Sequence, residues 1–248
     1  MTGAGALTVQ RRDLVARRVG RPRVLPQAAS GRRSGMDPRE EILDITAGLF
    51  VDRGIAATST RDIAEAVGIR QASIYYHFRS GKDEILAELL QRSIRPTLDK
   101  IEMIELLGTE AGAAPEVLLY LLVVLDVRTL ATAPRNAGVL PGLPEVQRKD
   151  VFEPFGTARE ELKTAYSRLG SRVAAAYPER AMTPDNKQMG ELLLEQVEVV
   201  IRMRSEGHPI TPRVEAIIAA TCLRICLADQ AGIDEAAIRA ADLIRAIE

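Results

Sequence analysis

The chain has 248 residues, 46% of them apolar but only 4% aromatic, and a formal net charge of −1. That suits a small module joined to a larger body with a sizeable core. No run approaches the ~20 apolar residues of a membrane span, and Cys222 and Cys226, the only cysteines, are too few for a disulfide framework.

Helix formers dominate and alternating β-branched runs are scarce, so the expected fold is all-α. The opening MTGAGALTVQRRDLV lacks a long apolar stretch behind its basic residues, which predicts a cytoplasmic protein. The small net charge hides an asymmetry. Residues 1–35 carry eight arginines and one acid, Asp13. Rich also in glycine and proline, they bury little apolar surface and are expected to be disordered. Three readings stand side by side: an arm that touches DNA phosphates or a minor groove, a solvated tail, or a start placed too early, since Met36 directly precedes the first strong helix.

Asp37-Pro38 opens that helix, with proline where its missing N–H costs least. Ile42, Ile45, Leu49 and Phe50 follow at helical spacing, and Gly54 closes it. Ser59 with Asp62 three residues on predicts a capping box for a second helix, which Gly68 ends. A third helix runs from about Arg70 to His77, with Ile74 and Phe78 turned inward. None of the three is long enough to be stable alone. Ile45, Leu49, Phe50, Ile63, Val67, Ile69, Ile74 and Phe78 are expected to form a shared core, with Tyr76 packed against it. This is a helix-turn-helix behind a supporting helix. Its outer face would carry Gln71, Ser73, Tyr75 and His77, with Ala72 small enough to approach a thymine methyl. Glutamine can bond two edges of adenine, while serine, tyrosine and histidine can reach phosphates.

The stretch ATSTRDIAEAVGIRQASIYYHFRSGKDEIL resembles the N-terminal signature of the TetR family of bacterial regulators over roughly residues 38–90. The resemblance implies a helical homodimer, each subunit with a three-helix DNA-binding head and a divergent effector-binding body. It implies phosphate contacts from Tyr75 and His77, base-facing positions for Gln71, Ala72 and Ser73, and Thr58 and Thr60 near phosphate. Arg61 and Arg70 are further candidate contacts, and Lys82 is a basic residue that helps fix the DNA backbone. Two departures stand out: Arg70 replaces a small polar residue, and Gly81 is an insertion that shifts Lys82 by one position.

The expected division is a basic arm (1–35), a DNA-binding domain (36–82) and an effector-binding and dimerisation body (83–248). In the body, residues 82–95 form a strut and 97–107 an amphipathic helix. Pro115 opens a helix, EVLLYLLVVLDVRTLAT, apolar on nearly every face and so expected at the centre. Residues 131–149, broken by prolines and glycines, read as a long irregular loop beside it, a candidate pocket wall. A helix resumes over 150–177. Two apolar helices, 184–205 and 212–229, are candidates for the homodimer interface, and a last helix follows. The pocket is expected from Met103, Leu107, Tyr120, Val124, Phe152, Phe155 and Tyr166, with Arg128 and Asn136 as polar anchors.

The reading is a ligand-responsive regulator, a repressor by preference, that binds a near-palindromic double-stranded operator as a homodimer. A small apolar or amphipathic effector releases it. The alternative is a ligand-binding helical dimer whose DNA head is weak or vestigial. No catalytic motif, metal-ligand set or cofactor loop is legible. Cys222 and Cys226, four apart on one helix, read as buried small residues before they read as a thiol sensor.

Overall fold

The computed structural model describes residues 37–110, 112–147, 150–178 and 184–247. The basic stretch 1–35, with its DNA-arm reading, lies outside these residues. Among them the fold is all-α, without strands. Helices α1 (Pro38–Arg53), α2 (Thr60–Val67) and α3 (Gln71–His77) form the head, and α4 (Lys82–Arg92) packs against α1.

The local chemistry that starts and stops the head helices matches the sequence reading. The Asp37 carboxylate accepts from the Arg39 N–H at the start of α1, and Pro38 occupies its first turn. At α2, Ser59 Oγ accepts from the Asp62 N–H while Asp62 Oδ2 accepts from the Ser59 N–H at 2.8 Å. Gly68 ends α2 with φ 78°, a left-handed turn that glycine adopts without a Cβ penalty. Arg70 stands at the N-cap of α3 and makes no side-chain cap.

Phe50, Ile63, Ile74 and Phe78 are wholly buried, joined by Ile42, Leu43 and Ile55, and Leu49, Val67 and Ile69 pack partly buried against them. Ile45 is only half-buried and stands outside this cluster, a correction to the expected core. The head core runs on without a break through Ile85, Leu86, Leu89 and Leu90 of α4.

The expected strut over 82–95 is shorter. Ser93 ends α4, and Pro96 sits in the first turn of a short α5 (Arg95–Leu98), followed by α6 (Ile101–Thr109). Then α7 (Pro115–Thr132) passes through the middle of the body, every residue from Val117 to Val127 buried. The described part of the expected loop, 131–147, is not irregular. Residues Pro134–Gly142 coil as a 3-10 helix and Pro144–Gln147 as the short α8. Prolines and glycines that would interrupt α-helical bonding still allow the tighter i→i+3 turn. A Cβ on Gly138 would come within 3.0 Å of Ile201 Cγ1, so a side chain there would hold the 3-10 segment away from its neighbour.

Helices α9 (Glu153–Ala175), α10 (Asn186–Ser205), α11 (Pro212–Ile225) and α12 (Gln230–Ile247) complete the body, with α7 packed against all four. Arg204 of α10 donates to the carbonyls of Leu130 (2.6 Å) and Ala133 (2.8 Å), so a cation caps the negative end of α7. Among the described residues no helix is long and apolar enough to cross a membrane.

Candidate DNA-reading face and effector cavity

On α3, Gln71, Ala72, Tyr75 and Tyr76 are exposed, Ser73 and His77 are half-buried, and Ile74 is buried. Spacings of one, four and five residues place the exposed four on one side of the helix. Their backing is held by hydrogen bonds. Gln71 Nε2 donates to Thr60 Oγ1 at 2.9 Å, and Thr60 Oγ1 shares a hydrogen bond with Tyr75 Oη at 3.2 Å. One threonine at the start of α2 thus sets the glutamine and the tyrosine relative to each other. Arg61, Arg70 and Arg79 are exposed around this face.

Tyr76 is a correction. It was expected in the core, yet it is 83% exposed, with its ring edge-on to His77 at 5.1 Å. The core is already filled at that level by Ile74 and Phe78, which leaves position 76 on the outer side. Helical spacing from the buried pair carried that signal.

Thr58 is a second correction. Its side chain is turned inward and the residue is 1% exposed. The hydroxyl donates to the Gly54 carbonyl at 2.8 Å, bracing the α1–α2 connection, so no phosphate reaches it. Lys82 also serves the scaffold. Its ammonium donates to the carbonyls of Ile55 and Thr58, both at 2.8 Å, which commits two of its three N–H groups and leaves one for a phosphate.

Gly81 explains the insertion. It has φ 63° and precedes α4. A Cβ there would lie 3.1 Å from Tyr75 Cε1 and 3.3 Å from Thr60 Cγ2. Glycine at 81 thus lets the turn into α4 close directly behind the Thr60–Tyr75 pair.

The head is tied to the body by charge. Arg92 of α4 binds Glu40 of α1 through both carboxylate oxygens (2.6 and 2.7 Å) and also binds Glu88 (2.7 Å). Arg39 stacks over the Phe78 ring at 4.3 Å and reaches Glu88. The Arg92 guanidinium holds the Glu40 carboxyl below its usual range. These groups are partly exposed, so salt screens them. From the body, Arg135 of the 3-10 segment pairs with Asp44 of α1 at 3.3 Å.

A cavity of about 1010 Å³ lies between the end of α4, α7, the 3-10 segment, α9 and α10. Phe152 and Phe155 line it. Met103 and Leu107 instead pack partly buried against the core, Tyr120 and Val124 are buried in α7, and Tyr166 is wholly buried with its hydroxyl spent on Asp126. None of these five lines the cavity. The apolar middle of α7 is consumed by packing, so the hollow forms at its C-terminal half instead. Arg128 belongs to a separate cleft of about 620 Å³, where it binds Glu215 at 3.0 Å. The side chain of Asn136 lies outside the described residues.

Sequence reasoning missed the polar lining: Asp126, Arg159 and Glu198. Asp126 is 2% exposed; Oδ2 accepts from Tyr166 Oη at 2.9 Å, and Oδ1 lies 3.0 Å from Thr97 Oγ1. Burial pushes its pKa up to about 6 against the two hydrogen bonds that favour the charged form. The signal was a lone acid inside an apolar run, VVLDV. Arg159 is gripped by both oxygens of Glu198, at 3.1 and 3.0 Å. Cys222 and Cys226 are buried and burial raises both thiol pKa values, which leaves little reactive thiolate.

Comparison with known proteins agrees with this geometry. Residues 42–89 match the family model for bacterial regulatory proteins of the tetR family. The crystal structure of AmtR from Mycobacterium smegmatis is 36% identical and superposes with a TM-score of 0.74 over 86% of this chain and 97% of that one. The ketosteroid regulator KstR2 of Mycobacterium tuberculosis, 21% identical with a TM-score of 0.60, shares the fold. The transcriptional repressor KstR2 of Rhodococcus jostii is 40% identical over 89 residues, which span 36% of this chain and 40% of that protein. With its helix-turn-helix head on an all-α body and a likeness to AmtR along nearly the whole of that protein, the chain belongs to the TetR family of bacterial transcriptional regulators.

Proposed function

We infer that the protein is a repressor that binds a near-palindromic operator as a homodimer and leaves it when a small molecule fills the cavity of the body. One observation carries the DNA part. The side of α3 opposite its buried residues presents Gln71 and Tyr75 already tied to Thr60. A helix of this kind fits the major groove, with Gln71 reading a base edge and Tyr75, His77 and the surrounding arginines meeting phosphates. Tyr76 joins that list because of its exposure. Residues 37–82 are the reading unit and 83–247 the sensing and pairing unit.

For pairing, α10 and α11 carry Leu192 and Ile217 exposed, the latter by 54%, beside half-buried Val199 and Val214. A second copy covering these helices removes that apolar surface from water and duplicates the head about a two-fold axis. For release, Ser93 and Ile94 at the end of α4 line the cavity, while Arg92 one residue before them grips Glu40 in the head. A ligand that binds two arrangements of α4 unequally shifts the spacing of the heads. The Rhodococcus relative bears the name of a repressor, which supports the sign of regulation.

The test is selection of bound duplexes from random DNA by the purified protein at moderate salt, followed by a salt titration on the recovered site. A two-fold symmetric site with a steep loss of affinity as salt rises supports the reading. Recovery of no preferred sequence overturns it.

A further inference from the structure

The cavity makes a more specific statement about its occupant, and this statement rests on the effector-site reading above. We propose that Asp126 is the polar anchor of that site and that the effector is an organic cation, a protonated amine or amidinium carried on an apolar body.

Asp126 stands at the cavity wall in the run Val123, Val124, Leu125, Asp126, Val127, where its four neighbours are buried and apolar. A carboxylate so placed is costly unless compensated. Its two hydroxyl neighbours, on Thr97 and Tyr166, leave a lone pair on each oxygen. Among the described residues no cation pairs with it. Arg159, a basic group of the lining, is already neutralised by Glu198 and lies within 3.7 Å of Glu195. Glu198 adds further negative potential at Asp126. Three acids and two arginines, Arg159 and Arg202, therefore face this hollow, and the deepest charge is an unmatched anion. An anionic ligand could meet Arg202 at the exposed part of the lining, but to use Arg159 it would have to pull it from Glu198, and at depth it would face the Asp126 carboxylate. A cation meets no such obstacle, and Ile94, Leu130, Phe155 and Leu162 supply apolar surface for its body.

Three probes of one shape separate the charges: 1-naphthylmethylamine, 1-naphthylmethanol and 1-naphthylacetate, each titrated by calorimetry into the full chain without DNA. The amine is expected to bind at least ten-fold more tightly than the other two. Asp126→Asn should remove ten-fold or more of the amine's affinity and change that of the alcohol less than two-fold. Tyr166→Phe, which leaves the carboxylate in place, should keep amine selectivity.

A wild-type pH series makes the same test without a variant, should Asp126→Asn fold poorly. Amine affinity should fall between pH 7.5 and 5 as Asp126 takes up its proton, while the alcohol stays level. The other titratable groups facing Asp126 are Tyr166 on α9, Glu198 on α10 and Cys222 on α11. Preference for the acetate, equal binding of all three, binding of none, or an amine affinity untouched by both Asp126→Asn and pH would overturn the assignment. Operator binding of the protein alone, measured separately, reports on the regulator reading and leaves the charge preference to calorimetry.

Discussion

The outward side of α3 and the wall of the cavity take their residues from the chain in different ways. The first is assembled from Thr60, Gln71, Tyr75, Tyr76 and Gly81, all within 22 residues. The second draws on α4, α7, the 3-10 segment, α9 and α10, spread from Ser93 to Ser205. Local rules govern the first: a capping box, a glycine turn, and inward residues four apart. Long-range packing governs the second. A surface for DNA can be specified by a short pattern, whereas a hollow exists only where distant helices fail to fill the space between them.

Substitutions can break or sharpen this contrast. The largest effect should come from the scaffold behind the reading face. Phe50 is wholly buried, so Phe50→Ala should lower stability by about 3–5 kcal/mol in urea unfolding. Tyr76→Ala, on the exposed side, should stay within about 0.5 kcal/mol. Similar losses for the two would mean that Tyr76 packs after all.

In the cavity, Asp126 sets the next effect. Its folded-state pKa is raised to about 6 from an ordinary 3.8. The native state therefore binds its proton more readily than the unfolded chain. The associated stabilisation is complete below about pH 4, declines as pH rises through about 6, and is gone by pH 7.5. Relative to Asp126→Asn, the wild type should thus gain stability on acidification from pH 7.5 to 4.5, by at most about 3 kcal/mol. A difference that does not change with pH would show that burial exerts no such pull on this carboxyl.

Gly81→Ala should have a smaller effect, about 1–2 kcal/mol, because alanine is strained at φ 63°. Its Cβ would also press on Tyr75 and Thr60. Operator affinity should fall along with thermal stability. Full affinity in a destabilised variant would separate Gly81 from the reading face.

Much of this was legible in the sequence, and the omissions have physical causes. Helix starts and stops in the head follow from Asp37, Ser59–Asp62, Gly54 and Gly68, where local bonding decides. The long burial of α7 was legible because its apolar residues cover every face. Residues 134–142 were not, because proline and glycine spacing distinguishes an α-helix from its absence but not a loop from a 3-10 turn. Thr58 and Lys82 were assigned to DNA from their position, while their donors point to carbonyls that a linear pattern does not locate. Tyr120 and Tyr166 were expected at the cavity because they lie on the apolar central helix and a neighbouring helix. Packing placed both in the core instead, and the hollow opened beside Phe152 and Phe155.

The most direct test of the central claim, that α3 reads base sequence through Gln71 on a face held by Thr60 and Tyr75, is a gel-shift titration of two variants on the selected operator and on scrambled duplexes. Gln71→Ala should lose about 1–3 kcal/mol on the operator and little on scrambled DNA. Tyr75→Ala should weaken both alike. Equal losses on every duplex for Gln71→Ala would contradict the account.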